Sequence, residues 1–177
     1  IDGFCRGAGL SFPEAVGTNS FGIDLGGLHP ELAGTEPGEW LTRPGKSIIV
    51  RHTVGLGDPL RAGDIPEDER IDDGLPHALL EAIRQYGLTH FKIKVCGDLE
   101  VDVPRLKDVA AVLSEASPEF RYTLDGNEQF RDIATFREHW EAYRAEPGLA
   151  VLFEGDRLLF VEQPLHRDVA LAERVRD

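Results

Sequence analysis

Four charged residues stand within or at the ends of three short apolar runs. Lys92 and Lys94 belong to Phe91-Lys92-Ile93-Lys94-Val95, Asp125 to Tyr122-Thr123-Leu124-Asp125-Gly126-Asn127, and Glu162 to Leu159-Phe160-Val161-Glu162-Gln163-Pro164. Lys92 and Lys94 are two positions apart, so in a strand both point to the same face. Two ammonium groups side by side in an interior are costly unless anionic groups face them. Asp125 and Glu162 could supply that charge, and carboxylates are also hard oxygen ligands suited to Mg²⁺. A lysine beside another cation has its ammonium form disfavoured and can act as a base. Jointly, these residues point to proton abstraction beside a carboxylate-held cation. Taken singly they have plainer readings: lysines in water on an edge strand, an Asp opening a Gly-Asn turn, and a Glu at a strand end.

The elements that must carry these groups can be read from periodicity. From Ser47 onward strands and helices alternate. Strands are expected at Ser47–Val54, Thr89–Val95, Arg121–Leu124 and Leu158–Val161, from their β-branched and aromatic content. Helices are expected over Leu75–Tyr86, with Asp73 as N-cap and Gly87 as stop, and from near Asp98 to Ser117 with an apolar stripe of Val103, Leu106, Val109, Ala110 and Leu113. A third begins after Asp132 and stops at Pro147-Gly148, and a fourth, capped by Asp168, runs to Asp177. Leu149–Phe153 fits either a strand or a helix. This order implies parallel strands with right-handed crossovers. An open doubly wound sheet would carry a Gly-rich phosphate turn near its first strand, but Gly55-Leu56-Gly57 lacks a third Gly and a following helix. The expected class is therefore α/β, as about the first four strands of a parallel β/α (TIM-like) barrel, whose strands all end on one functional face. Residues 46–177 form this half-barrel. Residues 1–45, rich in Gly, Pro and Asn with a short helix near Pro13–Val16, read as the end of another domain and a linker.

Composition excludes several roles. A formal charge of −13 argues against a nucleic-acid surface, and the acidic run Pro66–Asp73 reads as a solvated loop. No apolar stretch approaches the ~18 residues of a membrane span, and Ile1–Arg6 has no signal-peptide character. Cys5 and Cys96, with no zinc spacing, fit free thiols in a reducing, cytoplasmic setting. Cys96 is expected to point inward with Lys92 and Lys94, as a small buried residue.

The segment Lys92-Ile93-Lys94, the Asp125-Gly126-Asn127 turn and the Glu162-Gln163-Pro164 turn resemble the enolase superfamily, in its mandelate racemase and muconate-lactonizing branch, over roughly residues 47–177. There a KxK motif ends the second barrel strand, an Asp the third and a Glu the fourth. The resemblance implies Lys94 as base, Lys92 as its modifier and contact for the substrate carboxylate, Asp125 and Glu162 as Mg²⁺ ligands, and Asn127 as a substrate or water contact. It implies abstraction of the proton α to a carboxylate, with an enediolate intermediate, in a racemase, cycloisomerase or acid-sugar dehydratase. The superfamily is itself a standard illustration of a Lys or His base working beside Mg²⁺. It also implies a small-molecule carboxylate substrate and a capping domain of which residues 1–45 are the end; oligomeric state stays open, a homo-oligomer being one option for the full-length form. The family's third metal ligand and opposing acid/base groups lie on later strands, so activity is expected only in a longer polypeptide. Two other readings compete: a Schiff-base aldolase-type barrel with Lys92 or Lys94 as nucleophile, and a non-catalytic fragment.

Overall fold

The computed structural model describes residues 1–41 and 47–172. The expected boundary between residues 45 and 46 lies outside the described residues. Two compact units are present, Ile1–Ile48 and Ile49–Asp177. The first is built of short helices: α1 (Asp2–Ala8), α2 (Phe12–Gly17), α3 (Leu25–Leu28) and α4 (Pro37–Trp40), with a 3₁₀ turn at Pro30–Leu32. Ser11 and Glu14 form a reciprocal capping box at the start of α2.

The second unit alternates strand and helix: β1 (Arg51–Val54), α5 (Leu79–Tyr86), β2 (His90–Lys94), α6 (Leu99–Ala116), β3 (Arg121–Asp125), α7 (Ile133–Ala145), β4 (Leu158–Glu162) and α8 (Arg167–Ala170). The four strands form one parallel sheet in the order β1-β2-β3-β4. Asp98 caps α6, Asp132 caps α7, and Gly87 ends α5 in the left-handed conformation (φ 63°) that favours glycine. In β2 the two-residue period is plain: Phe91 and Ile93 are buried and Lys92 and Lys94 are half-buried. One sheet face, with Val54, Phe91, Ile93, Tyr122 and Leu124, enters a single apolar core with Leu79 and Ile83 of α5 and Leu106, Val109 and Leu113 of α6. The lysines belong to the opposite face. Among the described residues, no helix is long and apolar enough to cross a membrane.

Several element boundaries differ from expectation. β1 starts at Arg51 rather than Ser47: Ile48, Ile49 and Val50 are exposed, and pairing begins only where β2 lies alongside, at Arg51 opposite His90. Helix α5 starts at Leu79 rather than Leu75, and Asp73 is not its cap. The Asp73 carboxylate accepts from the Leu75 N–H at 2.9 Å and contacts the His77 ring at 2.8 Å, which is local turn chemistry. The Leu79 and Leu80 amides donate instead to the carbonyls of Pro59 and Leu60, both at 3.0 Å. Pro147–Phe153, ambiguous in sequence, is a 3₁₀ segment that buries Leu149 and Leu152. His166, not Asp168, caps α8, its ring accepting from the Asp168 N–H at 3.2 Å. The helix ends at Ala170 instead of running on toward Asp177, with Leu171 as its C-cap and Ala172 in a turn; residues 173–177 lie outside the described residues.

Candidate active site

The face away from the core carries the charged residues singled out in the sequence. Register sets Lys94, Asp125 and Glu162 level with one another at the C-terminal ends of β2, β3 and β4, and places Lys92 beside Thr53 and Thr123 one step below. The Lys92 ammonium lies 2.7 Å from Asp125 Oδ2 and 2.9 Å from Glu162 Oε1. Asp125 is 3% exposed in its side chain and Glu162 24%. Hydrogen bonds from Lys92 to Asp125 first, then to Glu162, hold its pKa above the ordinary lysine range despite burial. The other oxygen of each carboxylate is held separately. Asp125 Oδ1 accepts from the Asn127 N–H at 2.9 Å, and Glu162 Oε2 from Arg51 at 3.1 Å.

Arg51 also donates to the Thr123 hydroxyl at 2.9 Å, and its guanidinium stands over the Phe160 ring at 5.9 Å from the centroid. Its reach to Glu162 reports on the shape of the sheet. Strands ~4.8 Å apart would put β1 and β4 ~14 Å apart if the sheet were flat. Arg51 is level with His90 and Glu162 with Lys94, a further offset of ~13 Å along the strands. Side chains of this length bridge that diagonal only when the sheet is twisted and curled toward its polar face.

Two turns frame the site. Gly126 N–H donates to Glu162 O, Glu128 N–H to Gln163 O, and Phe130 N–H to Pro164 O, at 2.8–3.1 Å. A Cβ at Gly126 would lie 2.7 Å from Pro164 Cα, so glycine is required by the close approach. Asn127, Glu128 and Gln163 all have positive φ (46°, 61° and 41°), a sparsely populated conformation held by these interlocking bonds.

Lys92, Asp125 and Glu162 are thus brought into direct contact. Lys94 shares their face and makes no hydrogen bond or ion pair among the described residues. Asn127 turns its side-chain amide toward the carbonyls of Val95 and Asp125, at 3.4 and 3.3 Å, so what it does here is orient Asp125. Cys96 does not join the lysines. β2 ends at Lys94, and the thiol lies beside Asp98 and Asp102 at the start of α6, where burial pushes its pKa up. Sequence reasoning missed Arg51 and Thr123. The signal for both was position: each falls on the same alternating face as Lys92, Arg51 at the head of β1 and Thr123 opposite Lys92.

The donor chemistry fits a hard divalent cation in part. Asp125 Oδ2 and Glu162 Oε1 converge on one cationic atom, and Mg²⁺ is commonly held by one or two carboxylates with water completing its shell. Among the described residues, no group of three or more His, Cys, Asp or Glu side chains could hold a metal ion. Three basic side chains, Arg51, Lys92 and Lys94, stand against two acidic ones, which suits the face to an anionic ligand. Comparison with known proteins returned no match among family models, curated proteins or solved structures.

Proposed function

We propose that this chain carries the acid–base half of an enolase-superfamily-type site, removing the proton α to the carboxylate of a small organic acid. The observation that carries the reading is the convergence of Asp125 and Glu162, from the ends of adjacent strands, on the single Lys92 ammonium, with Lys94 level with them and uncommitted. The curl implied by the Arg51–Glu162 contact supports a β/α barrel whose free edges, β1 and β4, meet further strands.

In this reading the substrate carboxylate is drawn to the basic face, where Arg51 and Lys92 keep positive charge close to it. Lys94 Nζ takes the α-proton. Asp125 and Glu162 would hold Mg²⁺, which when bound supplies a fixed positive charge for the negative charge that develops on the substrate. Asn127, through its backbone N–H, keeps the Asp125 carboxylate aimed. A sheet face backed by a packed core gives these groups the rigid placement that proton abstraction requires.

The test is solvent exchange at the α-carbon. A polypeptide that joins this chain to the further strands of the barrel is incubated with Mg²⁺ and a panel of α-hydroxy and sugar acids in D₂O and followed by NMR. Deuterium incorporation that disappears with EDTA and with Lys94→Ala is expected. Exchange that survives Lys94→Ala, or no exchange with any acid of the panel, would count against the reading.

A further inference from the structure

We infer that Lys92 is an exchangeable internal counter-ion: it and a divalent cation occupy the Asp125–Glu162 pair alternately, so cation loading releases the Lys92 ammonium to an anionic ligand. This rests on the reading of those two carboxylates as cation ligands. The argument is geometric. Lys92 Nζ contacts one oxygen of each carboxylate, Asp125 Oδ2 and Glu162 Oε1. A divalent cation held by these two carboxylates would need the space that the ammonium fills, and two cations in contact there would repel. The outer oxygens do not depend on Lys92, because the Asn127 N–H holds Asp125 Oδ1 and Arg51 holds Glu162 Oε2. The pair therefore stays aimed when the ammonium leaves. The lysine stem is flexible, whereas Arg51 is tied to Thr123 as well as to Glu162, so Lys92 is the group free to move. Cation and anionic ligand then bind with positive coupling, since the first delivers the ammonium that the second needs.

Mn²⁺ affinity, measured by calorimetry and by electron paramagnetic resonance of the free ion, tests this without an activity assay. Lys92→Met is expected to bind Mn²⁺ about tenfold or more tightly than the unsubstituted chain, the range of an ordinary coupling between sites. Lys94→Met removes the same charge from the same face without vacating the pair and should change affinity less than about threefold. Lys92→Arg keeps the bridge and should bind no more tightly than the unsubstituted chain, a control that does not depend on the Met variant folding normally. Asp125→Asn should abolish binding. Equal gains in Lys92→Met and Lys94→Met, or a gain in Lys92→Arg, would overturn the exchange while leaving the carboxylates as ligands. Mn²⁺ binding that ignores Asp125→Asn would overturn both.

Discussion

Arg51 on the first strand and Glu162 on the fourth meet at 3.1 Å across a sheet in which two further strands lie between them. The contact ties the outer strands together over the polar face and covers Thr123, which is fully buried. Arg51→Met should lower unfolding stability by ~1 kcal/mol, the modest value reflecting side chains a quarter to a third exposed and screened by water. The measurement is the urea midpoint. A midpoint unchanged from the unsubstituted chain would mean that the curl is set by the core alone.

Asp102 anchors the end of β2 from the helix side. Its buried carboxylate accepts the N–H groups of Cys96 and Gly97, both at 2.9 Å, and the Tyr143 hydroxyl at 2.8 Å. Asp102→Ala leaves three donors without their acceptor, one of them the buried Tyr143 hydroxyl, and should cost ~3 kcal/mol, while Tyr143→Phe removes one of three bonds and should cost ~1 kcal/mol. The double variant should lose less than the sum of the two, as measured by urea unfolding. Equal costs for the two single variants would show that the backbone donors find other acceptors.

Tyr122 presents the opposite case. Its hydroxyl is buried in the core with no hydrogen-bond partner among the described residues, and burial raises its pKa well above the tyrosine range. Tyr122→Phe should leave stability unchanged or raise it by ~1 kcal/mol, because the lost hydroxyl carries an unmet desolvation cost. Thermal melting checks this, and a destabilisation beyond ~1 kcal/mol would reveal a partner for the hydroxyl.

Alkaline pH should weaken the fold through identifiable groups. Lys92 is raised by its bonds to Asp125 and Glu162, and Tyr143 by burial and then by Asp102. Both folded-state values lie above the unfolded ones, so their protonated forms stabilise the fold fully below the ordinary range. That contribution is lost as pH rises through the folded values. Stability from these groups should stay level from pH ~7 to ~9 and fall above pH ~10. Urea unfolding across this range should show a shallower fall in Tyr143→Phe. A decline already complete by pH ~9 would point to other groups.

The Phe91/Ile93 against Lys92/Lys94 alternation was legible because a one-sided core makes a period of two unambiguous. Asp125 and Glu162 were legible because each closes an apolar run. Arg51 was not, since Ile48–Val50 before it have stronger strand character than the residues that pair, and only contact with β2 decides where pairing begins. Asp102 was hidden for a related reason. In sequence it is an ordinary acid in the first turn of a helix, and its donors come from the preceding loop and from Tyr143 on another helix. The start of α5 depended likewise on carbonyls of Pro59 and Leu60 far from its own cap signal. Local propensity reported the faces of the elements, while partners distant in sequence determined their ends.

The crossing of the two turns beyond β3 and β4 bears on how this site can be re-engineered. With Gly126 seated against Pro164 and four backbone bonds running between the turns, neither can be lengthened or replaced without moving the carboxylate at the root of the other. Residues 125–130 and 162–166 therefore behave as one cassette, to be transplanted or diversified together, and a library that varies only one of them would mostly sample broken sites.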